Sequence, residues 1–325
     1  MLMKKLNYFL VILFLFLAFS FSSCEKVINV DLPEGESQLV VDGFITCYFD
    51  SAALKSGIEN QVIKLRKTSA YFNNDQAPPA LGATVNLTVT DYLLGPPRTR
   101  TFDLKDDNND GDYEYSGPFT FPFTIPMGFP GNVYQLDITY NGEEFTAQAY
   151  MDLVPIIDSL KFAFQEQVIQ GPDTLKAGYA IDQILTKYDG TLQPTKDVMG
   201  EGTCYWFKTF KNDKFYNKPK QMNLAYDAAF GPGSNGVAFI PPIVFSLSPE
   251  RCNIDDKIRI ECWSVGLPAF YFLNLARAQM TNEGLFATPP TNVPTNIVNK
   301  NKDSKVKAVG WFGAASVSRI TQIVK

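Results

Sequence analysis

The chain has 325 residues, is 45% hydrophobic, and carries a formal net charge of -5 from 29 basic and 34 acidic residues. That apolar content excludes global disorder, and the lack of any basic block argues against nucleic acid as a partner. There is no histidine. Its absence removes every Ser-His and Cys-His nucleophile pair and the zinc ligand sets that use imidazole. No paired-acid motif stands out either, so the sequence leads us to expect no catalytic residue, no metal and no cofactor.

The first element is a leader. Lys4 and Lys5 precede an apolar run from Tyr8 to Phe21, broken only by Ser20, and Ser22, Ser23 and Cys24 follow. A positive n-region, an apolar h-region and small residues before a cleavage point make a secretory signal. The run is shorter than the ~20 apolar residues of a spanning helix. Its ending resembles the lipobox of bacterial lipoproteins, where a peptidase cuts before a diacylated cysteine. The resemblance implies a signal peptide over 1–23 and lipidation of Cys24. Residues 24–37 are mixed and polar with Pro33 and Gly35, and read as a tether.

Gln38 to Ile45 reads as a strand with a bulge or turn at Gly43, and Gln61 to Arg66 as a second short strand. Thr84 to Tyr92 alternates strictly, with Val85, Leu87 and Val89 on one face. Gly95-Pro96-Pro97 interrupts, Thr99 to Leu104 resumes, and Asp106 to Asp112 forms an acidic turn. Gly117 to Pro130, rich in proline and aromatic residues, reads as an extended surface loop. Tyr134, Leu136, Ile138 and Tyr140 then alternate up to Asn141-Gly142, and Phe145, Ala147 and Ala149 return. Asn-Gly supplies the positive φ angles of a type I′ hairpin turn. Pro155 cannot donate to a ladder and marks a boundary.

Ile157 to Phe164, the strongly aromatic Cys204 to Phe210, and Asp256 to Val265 read as further strands. Ala269, Phe272, Leu273, Ala276 and Met280 recur at helical spacing, with Pro268 before them and Gly284 after. Val306 to Val317 closes the chain as a strand, with Gly310 and Gly313 as bends. The expected fold is therefore mainly β, in two sandwich-like domains. Residues 38–155 form the first, immunoglobulin-like or transthyretin-like; residues 156–325 form the second, with one packed helix near 268–281.

Besides Cys24 there are Cys47, Cys204, Cys252 and Cys262. A secretory route permits disulfides, and four cysteines allow three complete pairings. Cys262 follows Ile258 and Ile260 in period two, so it points to the apolar face as a buried thiol or as half of a bridge. Asp106, Asn108, Asp110 and Gly111 have the rhythm of a calcium loop. The acid required at its twelfth position is Gly117, so a solvated turn is the better reading. Tyr205, Trp206, Phe207, Phe210, Phe215 and Tyr216 either stack on a ligand or cover a sheet, and the sheet is preferred. Phe119, Phe121, Phe123 and Phe129 lie in period two among prolines, which bar a central strand, and form the candidate partner contact. The stretch Phe286 to Pro294 is the second candidate.

Four stretches together resemble a family. These are Cys24 followed by Leu39 to Ile45, and Ala147 to Met151 leading into Val154 to Leu160. The others are Ile258 to Val265 with the helix after it, and Phe286 to Ile297 followed by Ala308 to Ser316. They resemble Bacteroidetes lipoproteins of a domain-of-unknown-function family, family 4249, commonly encoded beside TonB-dependent receptors. The resemblance carries no agreed catalytic residues. It implies a lipid-anchored protein of the outer membrane, facing the cell surface, with a TonB-dependent receptor as the class of partner. With no histidine, no paired acids and no basic block, the expected role is a non-catalytic binding or accessory partner, not an enzyme, with no nucleic acid involved. The rival readings are a stand-alone adhesive or structural surface lipoprotein and a carboxylate-dependent hydrolase.

Overall fold

A computed structural model describes residues 37–48, 61–69, 75–92, 96–116, 128–170, 173–187, 204–216, 222–226, 251–281 and 293–325. All of these belong to one compact unit, residues 37–325. The unit is mainly β, and its sheets curl into a half-barrel.

Seven strands come from the first half: β1 (Leu39–Tyr48), β2 (Val62–Lys67), β3 (Thr84–Asp91), β4 (Arg98–Leu104), β5 (Asp112–Glu114), β6 (Val133–Tyr140) and β7 (Glu143–Tyr150). A long hairpin follows, made of β8 (Ile156–Gln165), β9 (Val168–Gln170), β10 (Asp173–Leu175) and β11 (Gly178–Lys187). Then come β12 (Cys204–Lys211), β13 (Lys214–Phe215), β14 (Asn223–Tyr226) and β15 (Lys257–Val265). Helix α1 (Leu267–Met280), β16 (Val298–Asn299) and β17 (Ala308–Ile323) complete the described elements.

The large sheet has the order β13-β12-β15-β17-β1-β2-β5, with β14 also on β12; a five-stranded sheet has the order β16-β7-β6-β3-β4. The described strand pairs are antiparallel except β1–β17, which is parallel and joins the two ends of the unit. The predicted strands of the first half are thus shared between two sheets. The predicted boundary at Pro155 falls between β7 and β8.

Period two decides which side chains enter which core. Val41 and Ile45 of β1, Ile63 and Leu65 of β2, Leu87 of β3, Leu136 of β6 and Phe145 of β7 form one buried cluster, together with Phe312 and Ala314 of β17. Tyr205, Phe207, Ile258, Ile260 and Cys262 form a second with Ile157, Leu160, Ile181 and Ile184 of the β8–β11 hairpin. Ile320 of β17 packs against that second cluster, so one face of β17 serves two cores. Its other face contributes Ala315 and Val317 to a third cluster, which α1 covers through Ala269.

The Asn141-Gly142 turn is as expected, with φ of 51° and 82°. Helix α1 starts behind Gly266 with proline in its first turn, and Ala269 and Leu273 are buried. Met280, the last residue of the predicted stripe, is exposed instead, because α1 has by then run beyond its cluster. No bulge occurs at Gly43, where β1 keeps continuous register with both neighbours. A Cβ there would lie 2.5 Å from Cδ1 of Ile63, so the glycine makes room for a core side chain rather than a turn. Likewise β17 does not break at Gly310 or Gly313; it runs unbroken to Ile323.

Three side-chain amides stand in for missing strands. Gln61 takes the N–H of Thr46 at 2.7 Å and gives to its C=O at 3.1 Å. Gln322 brackets Leu160 in the same way, at 3.0 and 2.7 Å, and Asn296 brackets Phe312, at 3.1 and 2.7 Å. Each satisfies two backbone groups that burial would otherwise leave unpaired.

Candidate functional site

β15 leaves β17 after the Ser264–Ser316 pair and passes through Gly266 into α1. β16 accompanies β7 only at Phe145 and Thr146. Where these two neighbours are missing, a cavity of about 610 Å³ opens. Its lining includes Trp311–Ala314 of β17, Gln148–Tyr150 of β7, the first turn of α1, Tyr92 and Asp152. Such a volume lies within the range of ligand pockets.

The polar groups here are few and mostly committed. The Asn296 Nδ2 group, which donates to the Phe312 carbonyl, also reaches the Gln148 carbonyl at 3.4 Å, so one amide spans both strands. The Thr295 hydroxyl donates to the Gly310 carbonyl at 2.7 Å. Ser316 donates its hydroxyl to the Asp152 carbonyl. Trp311 stacks on Phe272 at 4.9 Å and 27°, and its buried indole N–H has no partner among the described residues. Burial raises the Tyr150 phenol above its ordinary value, and the Asp152 carboxylate adds to the rise. Among the described residues of the lining, Asp152 is the single carboxylate.

A second cluster lies on the face of the large sheet that α1 partly covers. The Lys208 ammonium sits 3.9 Å from the Trp206 ring centre and 3.3 Å from that of Trp263. Glu261 is buried, accepts the Trp263 indole N–H at 3.0 Å and pairs with Arg259 Nε at 3.3 Å. Burial pushes the Lys208 ammonium down to about 8, partly offset by Glu261 and Asp42. By sequence, Cys204 to Phe210 is one strongly aromatic stretch. Strand alternation divides it: Tyr205 and Phe207 enter a core, while Trp206 faces Lys208. The overlooked signal was a lone charge two residues from a tryptophan on two paired strands, Trp206/Lys208 and Glu261/Trp263.

Cys24, Phe119, Phe121, Phe123 and the stretch 286–292 lie outside the described residues. Of the candidate contact residues, Phe129 is described. The residue is 43% exposed, while its N–H and C=O are both held by the buried Tyr134 hydroxyl, each at 2.8 Å. Phe129 is not among the residues lining the cavity.

The Asp106–Asp112 turn uses its carboxylates locally. Asp106 accepts the N–H groups of Asp110 and Gly111 at 3.0 and 2.9 Å. Asp112 pairs with Lys64 and Arg66; burial pushes its carboxyl up, but those two cations outweigh it and hold the group below the usual carboxylate value. Among the described residues no three Cys, Asp or Glu side chains gather as metal ligands. Cys204 and Cys252 are buried, Cys47 and Cys262 are free thiols, and Cys262 lies in the second core as its spacing required. Burial raises the Cys262 thiol well above its ordinary value and the Cys47 thiol to about 11.

Two comparisons bear on this arrangement. A family model described as a domain of unknown function (DUF4249) matches residues 25–321. No curated protein matches the chain.

Proposed function

The chain belongs to the DUF4249 family, and from that premise we propose that it is a lipid-anchored outer-membrane protein that binds rather than catalyses. Its partner in this reading is a TonB-dependent receptor, met at the cell surface. The observation that carries the reading is the cavity of about 610 Å³, which combines apolar and aromatic walls with the exposed ends of two strands. Ligand and partner sites have that make-up: an apolar body with a few fixed polar groups. The absence of histidine from the whole sequence and the Ser22-Ser23-Cys24 leader also support it.

Acylation at Cys24 would confine the protein to the plane of the receptor and raise the effective concentration of each for the other, so that a modest interface stays occupied. Phe119, Phe121, Phe123 and Phe129 remain the proposed contact. An immunoglobulin-like or transthyretin-like relationship of the first half belongs to the same proposal, supported by the core that β3, β6 and β7 share with β1 and β2.

The test is fractionation followed by co-purification. Cys24→Ser is expected to move the protein out of the outer-membrane fraction, since one or no acyl chain binds membranes only marginally. The parent is expected to bring a TonB-dependent receptor with it, less so after Phe121→Ser with Phe123→Ser. Full outer-membrane retention of Cys24→Ser would sink the anchor, and a parent that brings no receptor would sink the partnership.

A further inference from the structure

Side chains close the seam between β7 and β17. The Asn296 amide joins the Phe312 and Gln148 carbonyls, and the Ser316 hydroxyl donates to the Asp152 carbonyl. Strand parity shows which side chains meet on the outer side of that seam. On β6 and β7, Tyr134, Leu136, Phe145 and Ala147 face the first core. Val133 and Tyr150 have the opposite parity and are paired with each other, and Val133 is also paired with Thr90 of β3. The same registers, carried two residues on, set Gly131 between Tyr92 and Asp152. The ladder does continue there, since Gly131 N–H donates to the Met151 carbonyl and Met151 N–H to the Asn132 carbonyl. On β17, Trp311 has the parity opposite to the buried Phe312 and packs against the third cluster instead.

Most of this outer face is an ordinary solvated one. The hydroxyls of Thr88 and Thr101 bond at 3.0 Å, those of Thr90 and Thr99 at 3.3 Å, and the Gln148 amide donates to Gln135 at 3.2 Å. At the cavity its chemistry changes. Tyr92 and Tyr150 are 55% and 40% exposed, and the residue set between Tyr92 and Asp152 is a glycine with no side chain to fill the space. Tyr92, Tyr150 and Trp311 all line the cavity. Among the described residues no ring contact joins any two of them; that of Trp311 is with Phe272. The described lining holds the Asp152 carboxylate and no lysine or arginine. That carboxylate helps to raise the Tyr150 phenol, so its charge is felt at the ring. Arg98, on the neighbouring strand, is paired with Asp91 at 2.9 Å.

We propose that this corner binds an organic cation: an ammonium group lies over Gly131, between the rings of Tyr92 and Tyr150 and beside Asp152, and its apolar body rests against Trp311 and Pro268. The electron-rich faces of aromatic rings attract a cation, and a quaternary ammonium loses little hydration in leaving water for them. The negative carboxylate adds to the attraction. A sugar would need several donors and acceptors, whereas the amides of Asn296 and Gln148 are already bonded to protein. The site rests on the binding reading of the cavity and names the class of small ligand it takes; it does not depend on the receptor.

The test is isothermal titration calorimetry on the full chain in non-ionic micelles. The probes are choline, its neutral isostere 3,3-dimethylbutan-1-ol, and benzyltrimethylammonium, which carries the same charge on a larger apolar body. Choline is expected to bind with a Kd in the millimolar range and the isostere about tenfold more weakly or worse, with benzyltrimethylammonium the tightest of the three. Tyr92→Leu and Tyr150→Leu keep apolar bulk at exposed positions and remove a ring, and each should weaken benzyltrimethylammonium about threefold or more. Asp152→Asn should weaken it as well and flatten its dependence on salt. If a variant fails to fold, the choline and isostere pair on the parent chain decides. No saturable binding of benzyltrimethylammonium, equal affinity for choline and its isostere, or unchanged affinity in both tyrosine variants overturns the site. No receptor takes part, so cation binding with no receptor in pull-downs would sink only the partnership, and a recovered receptor without cation binding only this site.

Discussion

Lys208 combines a charge with a place that resists it. Its ammonium lies against two indoles, and burial lowers it from 10.5 to about 8. A shift of that size corresponds to a cost on the order of 3 kcal/mol for keeping the charge in the folded state. Cation–π contact with the two rings returns roughly 1–2 kcal/mol. The lowered value means the unfolded chain binds the proton more tightly between pH 8 and 10.5, so the cost is fully present below pH 8 and is relieved as pH rises through that window. Lys208→Met keeps the length and apolar stem and removes the charge, and Glu261 retains Arg259 and the Trp263 N–H. The variant should be more stable than the parent by about 1–2 kcal/mol at pH 7, with the gap closing by pH 10.5. Urea titrations at the two pH values measure it. A gap that stays constant with pH would mean that the charge is not the cause.

At the scale of elements, the parallel β1–β17 pair depends on close backbone approach. Gly310 has φ of +93°, and a Cβ there would lie 2.0 Å from the Val41 carbonyl oxygen. Gly142 has a similar φ of +82° with nothing within 4 Å. Gly310→Ala should therefore cost about 3–5 kcal/mol, from backbone strain plus overpacking, against about 1–2 kcal/mol for Gly142→Ala from strain alone. Equal losses in denaturant titrations would show that Gly310 is not a contact position. Much of the element inventory was legible beforehand: the alternation of Thr84 to Tyr92, the Asn141-Gly142 hairpin and the start of α1 near Pro268 all rest on local chemistry. What could not be read is who pairs with whom. β1 and β17 come from opposite ends of the chain, and no local pattern sets their register. The brackets made by Gln61, Asn296 and Gln322 have no sequence signal either, since a glutamine beside a strand is usually just solvated. The cavity exists only because β15 and β16 end where they do, so its lining residues were invisible one by one.

At the scale of the molecule, β17 ties the halves together. Phe312 and Ala314 lie in the first core and Ile320 packs on the second, from one face of one strand. Loosening the first core frees β1, and β1 is the neighbour of β17 on the side opposite β15. The sequence suggested two domains divided at Pro155, which would unfold separately if each held its own core. A shared central strand predicts that residues 37–325 unfold in one transition. The three tryptophans, Trp206, Trp263 and Trp311, all lie after Pro155, and Trp206 and Trp263 pack against Phe44 and Tyr48 of β1, so their emission reports the second half and its seam with β1, while far-UV circular dichroism reports all the strands. The two signals should trace one curve in urea. Leu87 of β3 is fully buried in the first core, far along the chain from every tryptophan. Leu87→Ala should cost about 2–5 kcal/mol and move the tryptophan midpoint as far as the dichroism midpoint. A dichroism loss that comes first, with tryptophan emission unmoved by Leu87→Ala, would show instead that the two halves are independent folding units that merely share a sheet.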